Sequence, residues 1–85
     1  MNIKTKYEIG QHIWIVYEAD KEVSVYDDII NWISIDKDGL TYGLEEVCID
    51  VKEEDVILYY EEEKLVNKIK EIMKQIRENE REKNE

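Results

Sequence analysis

Three observations predict a mainly β (α+β) chain that ends in one helix. Period-two runs rich in Val, Ile, Trp and Tyr recur through the first sixty residues, an Asp-Gly turn signal separates two of them, and the apolar spacing becomes helical after Tyr60. The runs are short, joined by tight turns, and have no crossover helix between them. That pattern predicts a small antiparallel barrel of five or six strands rather than a parallel sheet. With 85 residues there is one domain, divided into a β segment over 1–60, an amphipathic helix over 61–80 and a frayed tail over 81–85.

The first strand reads Gln11-His12-Ile13-Trp14-Ile15-Val16-Tyr17. Ile13, Ile15 and Tyr17 share one face, and Trp14 and Val16 share the other. With both faces apolar, the strand belongs in the middle of a sheet or in a barrel wall. Glu18 to Glu22 form a polar turn into Val23-Ser24-Val25-Tyr26. Asp27-Asp28 interrupts that run before Ile29-Ile30-Asn31-Trp32-Ile33-Ser34-Ile35, where Ile29, Ile33 and Ile35 take one face and Ile30 and Trp32 the other. Asp36-Lys37-Asp38-Gly39 supplies the positive-φ glycine of a hairpin turn. The return strand is Leu40 to Leu44, with Leu40, Tyr42 and Leu44 on one face and the small Thr41 and Gly43 on the other. Val47-Cys48-Ile49 reads as a further short strand, Lys52 to Asp55 as a turn, and Val56 to Tyr60 as the last strand. In the helix, Leu65, Val66, Ile69, Ile72, Met73 and Ile76 form one stripe. Glu61, Glu62 and Glu63 stand at its positive end, and Lys74, Arg77 and Arg81 toward its negative end.

The order of these elements resembles a known type. Lys6-Tyr7-Glu8-Ile9-Gly10-Gln11-His12-Ile13-Trp14, a turn, a long bent strand, the Asp-Gly hairpin, the acidic Glu53-Glu54-Asp55-Val56 turn and a C-terminal helix resemble small SH3-like barrels. Chains of this kind are common among accessory proteins of phages and prophages of low-GC bacteria. The resemblance covers roughly residues 6–70 and implies a five- to six-stranded SH3-like barrel. It places Tyr7 and Ile9 in the core and Gly10 at the turn into the first strand. SH3-like barrels host peptide binders, nucleic-acid binders and scaffolds, so no residue role follows from it.

Charge is the main functional signal. Twelve Lys and Arg stand against 22 Asp and Glu, a net charge of −10. Residues 1–60 hold five cations and 14 acids, a balance of −9, whereas 61–85 hold seven and eight, a balance of −1. A barrel this acidic is expected to bind neither nucleic acid nor an anionic membrane directly. A lone Cys48 permits no intramolecular disulfide, and no stretch has the apolar length of a signal peptide or membrane span, so the expected location is the cytoplasm.

No enzyme is expected. His12 is the single histidine and has no Ser-His-Asp or Cys-His spacing around it, so it reads as an ordinary strand residue near the rim. Cys48 lies between Val47 and Ile49 with no cation near it in sequence, which makes it a small buried hydrophobe rather than a nucleophile. Asp36-x-Asp38-Gly39 matches the start of a calcium loop but lacks its later ligands, and no metal or cofactor is expected.

The expected activity is binding. Asp27, Asp28, Asp36, Asp38, Glu45, Glu46, Asp50, Glu53, Glu54 and Asp55 all fall in turns, which cluster at the ends of a barrel. There they would imitate a phosphate backbone and steer in a partner that normally grips nucleic acid. The aromatic residues Trp14, Trp32, Tyr17, Tyr26, Tyr42, Tyr59 and Tyr60 exceed what a small core needs, and Tyr26 and Trp32 are the chosen exposed anchors. Leu65, Ile69, Ile72 and Ile76, widened by Val66 and Met73, suit a homodimer seam. The reading is a noncatalytic accessory protein of a phage or other mobile element that blocks a basic, nucleic-acid-binding surface of a host protein, in the manner of an anti-defence inhibitor. Two other classes stand beside it. One is an oligomeric sponge for a nucleotide-like ligand, with Tyr26, Trp32 and Tyr42 enclosing it and Lys21, Lys37 or Lys52 on phosphate. The other is an assembly scaffold.

Overall fold

The computed structural model describes residues 4–83, with side chains through Arg81. Five antiparallel strands form one sheet, and a single helix follows. The strands are β1 (His12–Ala19), β2 (Glu22–Asp36), β3 (Gly39–Leu44), β4 (Asp50–Lys52) and β5 (Ile57–Leu58), with a 3-10 turn at Glu53–Asp55 between the last two. Their order across the sheet is β4-β3-β2-β1-β5, so the chain meanders through four strands and returns its fifth to the free side of β1. The helix α1 spans Glu62–Lys83.

β2 has 15 residues because it serves both halves of the sheet. Its first part pairs with β1, from Glu22 opposite Ala19 to Ile29 opposite His12, and its second part pairs with β3. Ile30 stands opposite Leu44 and Trp32 opposite Gly43, so Asn31 is an extra residue, a bulge that bends the strand. The bulge also resets the inward face. Before it the even positions Asp28 and Ile30 are buried, whereas after it Ile33 turns inward and Trp32 outward. The single odd-numbered row of Ile29, Ile33 and Ile35 expected from alternation is therefore broken, and Ile29 is exposed. The expected interruption at Asp27-Asp28 is also absent. Both residues stay in register, Asp27 opposite Trp14 and Asp28 opposite Ile13, because each carboxylate has a partner in the fold.

Tyr7, Ile13, Ile15, Ile30, Tyr42, Leu44, Val51 and Val56 form the core, with Ile33, Leu40, Val47 and Leu58 packed at its border. Tyr7 lies inside as expected, but Ile9 is 62% exposed. Ile9 precedes the turn at Gly10, where φ is +98° and the amide donates to the Ile30 carbonyl at 2.8 Å. Tyr17, expected on the inward row with Ile13 and Ile15, is half-exposed near the open end of β1.

Three elements differ from the sequence expectation at their edges. Val47 to Ile49 are irregular and the strand begins at Asp50, because the amides of Glu46 and Val47 donate to Asp28 instead of to a strand. The final strand is only Ile57–Leu58, since Tyr59 and Tyr60 already turn and Glu61 donates its amide back to Leu58. The helix runs on to Lys83, past the expected end at residue 80, with no Gly or Pro to stop it; residues 84–85 lie outside those described.

α1 packs against β1 and β2. Leu65, Ile69, Ile72 and Ile76 are half-buried on its sheet-facing side, Lys64 Nζ donates to the Val56 carbonyl at 2.9 Å, and Glu80 lies 3.7 Å from Lys21 in the β1–β2 turn. Contact thus extends along most of the helix. Ile57, opposite Trp14, is buried, and both residues line one groove with Lys68 and Ile72 of α1. Since β5 pairs with only Ile13 and Trp14, the helix packs where the outer edge of β1 extends beyond β5. No helix among the described residues is long and apolar enough to cross a membrane.

Candidate partner-binding surface

Ile15, Tyr17, Tyr26, Val47 and Ile49 line an apolar groove of about 260 Å3. Ile15 and Tyr26 face each other across β1 and β2, and Tyr17 lies two residues further along β1 on the same face. Ile15 is 5% exposed and forms the floor, while Tyr17 and Tyr26 are each 50% exposed and form one wall. The other wall comes from the segment between β3 and β4. Two half-exposed tyrosines beside an apolar floor give a surface that can bury a partner's side chain and still hydrogen-bond at its rim.

That second wall is held by Asp28. Its Oδ2 accepts the amides of Val47 at 2.7 Å and Glu46 at 3.0 Å, and its Oδ1 accepts the amide of Ile29 at 2.7 Å. Burial alone would raise the carboxyl's pKa, but the amides of Val47, Ile29, Glu46 and Glu45 outweigh it and hold the group below its ordinary value. Asp28 is thus an internal anchor that fixes Val47 opposite Tyr26. It stands on the same inward row as Ile30, and an acid on an apolar row is the signal that would have revealed this role.

A second network ties the N-terminal segment to the sheet. The Tyr42 hydroxyl donates to Glu53 Oε2 at 2.6 Å and accepts the amide of Tyr7 at 3.1 Å, while the amide of Lys6 also donates to Glu53 Oε2 at 3.1 Å. Burial, then the Glu53 carboxylate, push the Tyr42 hydroxyl up; the Tyr42 hydrogen bond, then the Lys6 amide, hold Glu53 down. Glu53 is therefore engaged within the fold.

His12 begins β1 and takes part in an aromatic stack. Its ring lies 4.0 Å from that of Tyr59 at 9°, and Tyr59 in turn lies 4.6 Å from Trp14 at 15°. Trp14 Nε1 donates to the Tyr59 carbonyl at 2.9 Å, and His12 Nε2 is 2.7 Å from Asp27 Oδ2. The alternation of β1 places His12 and Trp14 on one side, but Tyr59 is separated from them by 45 residues or more and joins them through the β5 turn.

The acidic residues form two groups. Ile35 opposite Leu40 and Thr41 opposite Lys52 bring Asp36, Asp38, Glu53, Glu54 and Asp55 to one end of β3. Ile30 opposite Leu44 and Gly43 opposite Asp50 bring Asp28, Glu45, Glu46 and Asp50 to the other, beside the apolar groove. Asp27 points instead toward His12. Tyr26 and Trp32 are separated as well: Tyr26 lines the groove, whereas Trp32, 45% exposed, lies over Gly43. Tyr42 is fully buried, so it does not share a ligand cavity with them. Lys21 sits at the β1–β2 turn, Lys37 at the β2–β3 turn and Lys52 on β4. Cys48, expected inside, is exposed because the irregular course of residues 45–49 turns it outward. Of the expected helix seam, Leu65, Ile69, Ile72 and Ile76 face the sheet, and Met73 is left 42% exposed beside Val66 at 45%. Among the described residues no cluster of three or more His, Cys, Asp or Glu has metal-binding geometry.

Comparison of the chain with known protein families, curated proteins and solved structures finds no match.

Proposed function

We propose that the chain is a noncatalytic binding protein that occupies a basic surface of another protein, seating an apolar side chain of that partner between Tyr17, Tyr26, Val47 and Ile49. In the setting expected from the sequence, it is an accessory protein of a phage or mobile element, and the partner is a host protein whose basic surface otherwise holds nucleic acid. The observation that carries this reading is an apolar groove beside carboxylates without cationic partners. Among the described residues, no acid within 1–60 pairs with a lysine or arginine, and Asp27 alone reaches the histidine. Glu45, Glu46 and Asp50 are exposed next to the groove. Uncompensated like charges repel one another in the free protein, and a cationic partner relieves that repulsion as it docks.

Capture from a bacterial host lysate at low and high salt tests this reading, comparing wild type with Tyr26→Ala and with the triple variant Glu45→Gln, Glu46→Gln, Asp50→Asn. Wild type is expected to retain a basic protein that salt releases. Tyr26→Ala is expected to weaken retention at all salt concentrations, and the triple variant to abolish its salt dependence. A partner held equally well by all three forms would sink the proposal.

A further inference from the structure

We propose that the exposed side of α1 pairs with the same side of a second copy, with the two helices antiparallel. Val66, Lys70, Met73 and Arg77 recur at spacings of four, three and four, and form a strip roughly 100° around the helix from the half-buried Leu65–Ile76 side. Val66 and Met73 are 45% and 42% exposed, and they are the apolar residues that α1 leaves uncovered by its own sheet. Glu62 and Glu63 border this strip at its N-terminal end, and Arg77 and Arg81 at its C-terminal end.

The strip is complementary to itself only when reversed. In an antiparallel pair centred between Val66 and Met73, Val66 of each copy meets Met73 of the other. Glu62 and Glu63 of each then lie level with Arg77 of the other, with Arg81 about one turn further along. A parallel pair would set acid on acid and cation on cation. None of these four charged side chains has an ion-pair partner among the described residues, and Arg77 and Arg81 line one shallow depression at the helix end with Lys74, Glu78 and Glu80. Arg77 and Arg81 are like charges four residues apart, a spacing that weakens an isolated helix and that facing carboxylates would offset. The contact is isologous and closes on itself as a two-fold dimer. Lys70 meets its own symmetry mate at the centre and, with two apolar residues per copy, keeps the association weak.

A charge exchange tests the pairing. Glu62→Lys with Glu63→Lys makes both ends of the strip cationic, and Arg77→Glu with Arg81→Glu makes both ends acidic. Each pair of reversals moves the net charge by four from −10, to −6 and −14, so the two variants still repel overall and only the local match can join them. Circular dichroism melting establishes that both remain folded. In sedimentation at 0.15 M salt, wild type is expected to approach twice its 10.3 kDa mass as concentration rises. Each variant alone is expected to remain monomeric, and their equimolar mixture to regain the dimer. Wild type that stays monomeric up to about 1 mM overturns the proposal. So does a mixture that fails to pair, or either variant dimerising as well as wild type.

Discussion

The Asp28 carboxylate accepts the amides of Ile29, Glu46 and Val47, so its ionisation and the course of residues 45–49 belong to one equilibrium. Its folded pKa lies below the ordinary value of 3.8, and the stabilisation is therefore complete above that value and lost as pH falls through the lower, folded one. Asp28→Asn replaces a charged acceptor with a neutral one that carries its own donors. Urea unfolding at pH 7 is expected to register a loss of about 2 kcal/mol, shrinking as the pH is lowered from 3.8 through the folded pKa. An unchanged difference at acid pH would show that shape rather than charge is responsible. Gly43 presents a different constraint. A Cβ there would stand 1.8 Å from the Trp32 ring, and Trp32 is held from below by β3. Gly43→Ala is expected to expel the indole and cost about 1 to 3 kcal/mol, with a red-shifted tryptophan emission as the accompanying signal.

At the scale of elements, the hairpins show what short-range pattern can and cannot reveal. The Asp-Gly signal placed the β2–β3 turn correctly: Gly39 takes φ +120°, and Asp36 Oδ1 accepts the Asp38 amide at 2.8 Å. The β1–β2 turn is tighter than its polar sequence suggests. Asp20 and Lys21 both have positive φ, at 52° and 68°, between the paired residues Ala19 and Glu22. That is the mirror-image turn whose twist suits a hairpin, and it normally selects Asn-Gly. Lys21→Gly is expected to raise stability by about 1 kcal/mol, measured by urea unfolding, because the lysine is held in a left-handed conformation. Its exposed pairing with Glu80 offers little in return. No such local signal marks the bulge at Asn31. Alternation read straight through residues 29–35 gives the wrong inward row there, because the phase of β2 is reset by its change of partner from β1 to β3. The shortness of β5 and the irregular segment before β4 were hidden for the same reason, being decided by backbone amides that donate to the carboxylates of Asp28 and Glu61, distant or local, rather than by β propensity.

For the whole molecule, the architecture was legible because both periods are strongly written: alternation through residues 12–44 and a four-three repeat after Glu61. The candidate surface was legible only in part. Tyr26 was recognisable as a large aromatic opposite a valine row, but its groove needs Val47 and Ile49, whose position depends on Asp28 across 19 residues of chain. Turn composition also merged acidic residues that the register separates to opposite ends of β3. With so few of its carboxylates paired, the chain's stability is expected to rise as sodium chloride is added from low ionic strength to about 0.5 M, where the Debye length falls below 5 Å. Urea midpoints across that series measure it. A falling midpoint would mean that the His12–Asp27 and Lys21–Glu80 pairs outweigh the general repulsion.

The bend in β2 also divides the two tryptophans. Trp14 belongs to the half built from β1, β5 and the first part of β2, stacked on Tyr59 near α1, and Trp32 to the half built from the rest of β2, β3 and β4. Each half of the sheet therefore carries its own intrinsic fluorophore in a different chemical setting, one with its indole N–H bonded to a carbonyl and one lying on a glycine. Replacing either indole with Phe leaves a single tryptophan, whose emission can be excited apart from that of the six tyrosines, so the same molecule can report separately on the two sides of its bend during unfolding or on contact with a partner.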